Sequence, residues 1–227
     1  MSRFNLTKLK TRFVTAMIVA PASLFVIYAG GWMLWVLLAG VFIVAQKEWF
    51  DLAKKLKARR VLYPLGGLYI CLCFGAFFLI GNDRNMQALL LLVMVISSDV
   101  GAYFFGKFIG GPKMAKTISP NKTWAGFGGA MLCPALAMLV FDLFVTSSGA
   151  NMTSSMASSF YIIHSLAFGA MIGASGQVGD ILVSYMKRLA HVKDTGTILP
   201  GHGGVLDRID ALLLASVMFI LLEYWLV

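Results

Sequence analysis

The sequence predicts an all-α, polytopic integral membrane bundle of about seven transmembrane helices with its N-terminus in the cytoplasm. Three observations carry that prediction. Apolar residues fill 59% of the 227 positions and charged ones only 13%, against about 25% charged in an average soluble domain. The apolar residues gather in long runs, most of them near the ~20 residues that cross a hydrocarbon core as a helix. All 19 lysines and arginines except Arg84 fall in segments that seven spans place on one side of the bilayer, as the basic excess of cytoplasmic loops requires. The formal charge of +9 is therefore assigned to loops beside anionic lipid, and no nucleic-acid partner is expected.

Arg3, Lys8, Lys10 and Arg12 lead into an apolar run from Phe13 to Ala45. A signal peptide starts similarly, but its apolar core is only about 7–15 residues, so this run is read as uncleaved. Gly30 and Gly31 divide it into two segments that are each short for a full span, which implies a tilted hairpin. Gln46 to Arg60 holds Lys47, Lys54, Lys55, Lys57, Arg59 and Arg60 and is expected to lie along the membrane surface. Residues 1–61 thus read as a hairpin plus a basic surface segment, and 62–227 as the catalytic core of one membrane domain.

Leu62 to Ile80 and Met86 to Gly106 read as the third and fourth spans, joined by the polar turn GNDRN. Asp99 lies within the fourth, with Tyr103 on the same helical face. An acid there is either a structural hydrogen-bond anchor or part of a site. The loop GKFIGGPKMAKTISPNKT supplies Lys107, Lys113, Lys116 and Lys122. Ala125 to Val145 is the fifth span, with Asp142 expected at the far interface, followed by an uncharged, serine-rich linker from Thr146 to Ser159. Tyr161 to Tyr185 is the sixth, interrupted by Gly173, Ser175, Gly176, Gln177, Gly179 and Asp180; polar backbone at depth is tolerated where it lines a cavity. The last span begins at about Asp210. Cys71, Cys73 and Cys133 all lie in apolar segments, where thiols act as small hydrophobes, and their spacing gives no disulfide framework or zinc site. No internal repeat or low-complexity tail is visible.

The densest charge lies in SYMKRLAHVKDTGTILPGHGGVLDRID, Ser184 to Asp210. A charged cluster between two apolar segments is a site hypothesis, because charge beside lipid must pair, reach water or bind an ion. Lys187 and Arg188 are placed to close a helix, Pro200 and the glycines to break structure, and Asp207 and Asp210 to sit one turn apart on the next helix. Two such carboxylates suit magnesium, which takes one or two protein carboxylates and completes its shell with waters and substrate phosphates. Gly201, Gly203 and Gly204 allow the close backbone approach of a phosphate-cradling loop. A solvated basic loop with a glycine turn is the bland alternative.

These residues, as the pattern SxxKRxxxxKDxGxxxPGHGGxxDRxD, resemble the signature of the phosphatidate cytidylyltransferases, or CDP-diacylglycerol synthases. Fourteen fixed positions over 27 residues is a specific match. The block from Ser98 to Ala130, with its SPNKTW core, is similar to the family's upstream segment. The resemblance implies transfer of a cytidylyl group from CTP to phosphatidate by an inner-membrane, multi-pass enzyme with its active site on the cytoplasmic side, likewise a homodimer. It implies magnesium at Asp180 and Asp207, with Asp210 and Asp99 as further ligands or supporting acids, and room for a second cation. Lys122, Lys187, Arg188 and Lys193 are expected to hold phosphates, Ser119, Ser184 and Arg208 to line the substrates, and His202, Gly203 and Gly204 to shape the loop around pyrophosphate. His202 either donates to phosphate or simply orders the turn. Lys122 is expected to share a phosphate with Lys187 and Arg188. A CTP-dependent lipid-alcohol kinase and a secondary transporter are the competing classes; the paired interrupted helices of the latter are not seen, nor is the DGxxAR run of the CDP-alcohol phosphotransferases.

Overall fold

The computed structural model describes residues 6–56, 59–83, 85–147, 159–198 and 203–226, and they are mostly helical. The helices are α1 (Leu6–Ala29), α2 (Gly31–Ala53), α3 (Arg59–Asp83), α4 (Asn85–Phe108), α5 (Trp124–Ser147), α6 (Ser159–Leu189) and α7 (Leu206–Leu226). Five segments among the described residues are long and apolar enough to cross a membrane: Gly31–Ala53, Arg60–Asn82, Asn85–Phe108, Trp124–Val145 and Tyr161–Leu189. Of the basic segment Gln46 to Arg60, Gln46 to Ala53 form the last two turns of α2, and Arg59 and Arg60 open α3. The SPNKT loop is an antiparallel hairpin, β1 (Lys113–Ala115) with β2 (Ser119–Thr123), in which Lys113 faces Thr123 and Ala115 faces Ser119.

By contact density the chain divides into two units, Met1–Leu89 with Tyr185–Asp210, and Leu90–Ser184 with Ala211–Val227. In the first, α2 and α3 pack antiparallel through ring pairs Trp35–Phe78, Phe42–Phe74 and Phe50–Tyr63. Trp49 lies so close over Gly66 that a Cβ there would overlap its indole ring, and its Nε1 donates to the Tyr63 carbonyl at 3.3 Å. Gln46 bridges the same pair by donating to the Gly67 carbonyl at 3.0 Å.

In the second unit small residues make the α4–α5 and α5–α6 crossings, as expected where backbones must approach closely without a hydrophobic driving force from water, while α6 meets α7 through the ring pair Phe168–Phe219. Gly101 of α4 and Gly129 of α5 each face the other's carbonyl, and Gly169 and Gly173 of α6 lie against the carbonyls of Pro134 and Ala130 of α5. A side chain at Gly173 would press on the Ala130 carbonyl and the rigid Pro134 ring, so Gly173→Val is expected to lower the thermal midpoint in detergent by several degrees. An unchanged midpoint would show that this crossing is loosely packed.

Asp142 corrects an expectation. It is buried, and the fully enclosed Ser165 hydroxyl donates to its Oδ2 at 2.5 Å. It anchors α5 to α6 through this bond, so Asp142→Asn is not expected to be silent.

Candidate functional site

In the second unit the hairpin delivers Lys122 to α6. Thr123 ends β2 and caps α5: its Oγ1 accepts from Gly126 N–H at 3.0 Å, the bond an N-cap hydroxyl makes to the third helical residue. That cap fixes where the strand stops, and with it the preceding lysine. Lys122 Nζ lies 2.7 Å from Asp180 Oδ2 and 2.9 Å from Gln177 Oε1. Ser184 donates to Asp180 Oδ1 at 3.1 Å, and Gln177 Nε2 to Asp99 Oδ1 at 3.4 Å. Residues 177, 180 and 184 share one face of α6 by helical spacing. The polar interruptions of the sixth span therefore form a chain from Asp99 through Gln177 and Lys122 to Asp180 and Ser184. Gln177, only 3% exposed, was legible in the sequence as a polar interruption but not as the link.

In the first unit α6 ends by a left-handed turn. His191 has φ 54°, with Val192 N–H donating to the Lys187 carbonyl and His191 N–H to that of Arg188, the paired bonds of a Schellman motif. The chain then folds back so that Lys187 Nζ meets Asp207 Oδ1 at 2.7 Å, with both side chains largely enclosed. Asp207 Oδ2 accepts from Thr195 N–H at 2.8 Å and Gly204 N–H at 3.1 Å. Burial raises the Asp207 pKa, but the Lys187 bond and the two backbone donors outweigh it and hold the carboxyl below its usual range.

The sequence reading missed Glu48. From the end of α2 this residue, 3% exposed, accepts from Val205 N–H at 3.0 Å, Leu206 N–H at 2.8 Å and Thr195 Oγ1 at 3.0 Å. It satisfies donors at the start of α7 that no intrahelical carbonyl can reach. The glycines follow from it. Gly203 needs its φ of 86°, whereas a Cβ on Gly204 or Gly196 would overlap the Glu48 carboxylate. The close approach expected for a phosphate is made here to an internal acid. The available signal was thin: Glu48 is one of two glutamates in the chain, set in a basic segment.

Of the other expected residues, Arg188, Lys193 and Arg208 are exposed, Ser119 is half-buried in β2, and Asp210 is buried one turn beyond Asp207. His202 and Pro200 lie outside the described residues. Among the described residues no three His, Cys, Asp or Glu side chains gather as a metal-binding set. Any magnesium must then draw on one or two carboxylates and on substrate oxygens, as that ion commonly does. Asp180 fits: its side chain is 30% exposed and its Oδ1 accepts from the Ser184 hydroxyl. Asp207 fits less well, since a cation at Oδ1 takes the place of the Lys187 ammonium and Oδ2 already holds two N–H groups.

A cytidylyltransferase family model matches residues 10–82 and 59–225. The chain is 39% identical over 132 residues to a phosphatidate cytidylyltransferase of Brucella suis, an alignment covering 58% of this chain and 44% of that one. It is 37% identical over 152 residues to the enzyme of that name from Bacillus subtilis, covering 66% and 52%. With the one from Rickettsia bellii it shares 30% over 213 residues, 92% of this chain and 88% of the relative. The matched part thus spans less than half of the Brucella protein but most of the Rickettsia one.

Proposed function

The chain belongs to the cytidylyltransferase family, and from that membership we propose that it transfers the cytidylyl group of CTP to phosphatidate, releasing pyrophosphate and forming CDP-diacylglycerol. The observation that carries this reading is the pair of lysines, Lys122 and Lys187, each held 2.7 Å from a carboxylate in a largely apolar protein. Ammonium groups fixed in advance neutralise an incoming phosphate without the reorganisation that water would need.

The chemistry asks for little more. A phosphatidate oxygen, already ionised, attacks the α-phosphorus of CTP; the bond to the bridging oxygen breaks and pyrophosphate leaves. Catalysis rests on alignment and charge neutralisation rather than on a general base. Lys122 and Lys187 bind phosphate oxygens, with the exposed Arg188, Lys193 and Arg208 as further phosphate ligands. Gln177 and Asp99 hold Lys122 and Asp180 in place, while Asp207, supported by Asp210, holds Lys187 and the loop around Gly203 and Gly204. Ser119 and Ser184 offer hydroxyls to substrate, and His202, between Gly201 and Gly203 in the sequence, is proposed as a phosphate donor. Magnesium, when bound, would neutralise charge on the triphosphate and on departing pyrophosphate; Asp180, with Asp99, is its best-fitting seat, and Asp207 offers a second cation a seat of its own.

Seven spans with a cytoplasmic N-terminus put both basic loops on the side where CTP is found, in the inner membrane of the cell, and a homodimer is the assembly proposed. Cysteines at Lys116 and Lys193 should then react with an impermeant thiol reagent only after the cytoplasmic face is opened. Labelling of Lys116→Cys in sealed cells would reverse this orientation.

Lys122→Ala is expected to lower turnover by about ten- to a hundredfold, since it removes one fixed charge from the phosphates. Steady-state rates in detergent check this against Lys54→Ala, whose exposed pair with Asp51 should contribute nothing. Equal rates for the two variants would confine Lys122 to a structural part.

A further inference from the structure

Between Asp99 and Asp142 the chain carries Lys107, Lys113, Lys116 and Lys122 without one aspartate or glutamate. Lys122 is taken up by Asp180. The other three are exposed, and among the described residues Lys113 and Lys116 form no ion pair. Lys107 lies 5.4 Å over the exposed Tyr103 ring and 3.2 Å from its hydroxyl. These cations stand where α4 ends and the hairpin begins, among apolar side chains turned outward: Phe108 is 77% exposed, Ile109 67% and Trp124 56%. Trp124 N–H donates to the Pro112 carbonyl at 3.1 Å, which sets its backbone beside that of Lys113.

Unneutralised cations next to exposed rings and aliphatic chains, at the end of a helix apolar enough to span a membrane, match the chemistry of the headgroup region. The rings and aliphatic groups lie at the acyl boundary while ammonium groups reach phosphates. We infer that this surface, formed by the end of α4 and the hairpin, binds the headgroups of anionic phospholipids. A soluble nucleotide could use the lysines and stack its base on a ring, but it has no use for the outward aliphatic Ile109 or for a collar that continues a helix apolar enough to span a membrane, so the surface favours a lipid. Where the inference touches the proposed function it rests on it: phosphatidate is itself an anionic phospholipid, and the surface gathers it at the strand that carries Lys122.

Trp124 reports on the surface without any turnover. The full chain and its Trp124→Phe variant are placed in phosphatidylcholine vesicles containing an equal mole fraction of acyl-brominated phosphatidylglycerol, phosphatidate or phosphatidylcholine, and the difference in quenching isolates this one indole. Both brominated anionic lipids should associate about 3–10-fold more strongly than brominated phosphatidylcholine, the attraction of the three lysines being reduced by screening. The preference should fall towards unity in Lys107→Gln/Lys113→Gln/Lys116→Gln and weaken as salt is raised. Equal quenching by all three lipids, a preference that survives in the triple variant, or its loss on adding CTP alone overturns the inference. Since no step requires cytidylyl transfer, failure of the proposed function leaves this result readable, and the reverse holds too.

Discussion

Asp207→Asn is expected to lower turnover by at least about a hundredfold, the scale of losing a principal electrostatic stabiliser. The amide oxygen can still accept from Thr195 and Gly204 N–H, but the Lys187 ammonium loses its partner at 2.7 Å. An enclosed charge left unpaired costs about 3–5 kcal/mol when one member of a buried pair is removed, so the thermal midpoint should fall as well. The double variant Asp207→Asn/Lys187→Met separates the two effects. With both charges gone, stability should largely recover while turnover stays low. Recovery of both together would make the pair purely structural. The pair also sets an acid limit. Because the folded state holds the Asp207 carboxyl below its usual range, its contribution is fully present above the ordinary carboxylate pKa of about 3.9 and is lost only as pH falls through the lower folded value. Asp207→Asn should flatten that part of an acid-denaturation curve.

Glu48→Ala should be the most damaging single change outside the phosphate-binding residues. It strands two backbone N–H groups and the Thr195 hydroxyl, at about 1–3 kcal/mol for each donor left buried and unsatisfied. The start of α7 and the loop carrying Asp207 lose their common anchor, so midpoint and turnover fall together and protease should cut between Lys193 and Gly204. Glu48→Gln should do less harm. Its oxygen can keep the two donors that now share Oε2, and only Val205 N–H then meets another donor. A Glu48→Ala protein with native midpoint and native protease resistance would remove Glu48 from this account.

The helices were legible because the composition of each run decides burial in a bilayer residue by residue, and Gly30, Gly110 and Gly111 with their positive φ values mark where runs break. The clusters were legible in part. Lys187, Asp207, Lys122 and Asp180 stood out because charge in an apolar chain has few places to go, but as phosphate and metal ligands and not as the two ion pairs they form. Asp142 misled for the same reason: its nearness to the end of a span suggested water, and only the packing of α5 on α6 shows Ser165 waiting for it. Glu48 was invisible since its partners are 147 to 158 positions away, and no periodicity links a helix end to a distant loop. The SPNKT hairpin was hidden by its shortness; two strands of 3 and 5 residues give no alternation long enough to read. Of the glycines expected to allow a positive φ and a close approach, Gly203 has the φ and Gly204 the approach, which the Glu48 carboxylate makes in this structure.

The central claim is that the α-phosphate of CTP, and not its γ-phosphate, goes to the lipid. Purified protein in detergent, given phosphatidate, magnesium and CTP labelled at either position, tests it directly. The account predicts α-label in an organic-extractable CDP-lipid, γ-label in pyrophosphate, equal amounts of the two products and neither without phosphatidate. Label from the γ-position in the lipid, with CDP released, would contradict it and make the protein a CTP-dependent lipid kinase.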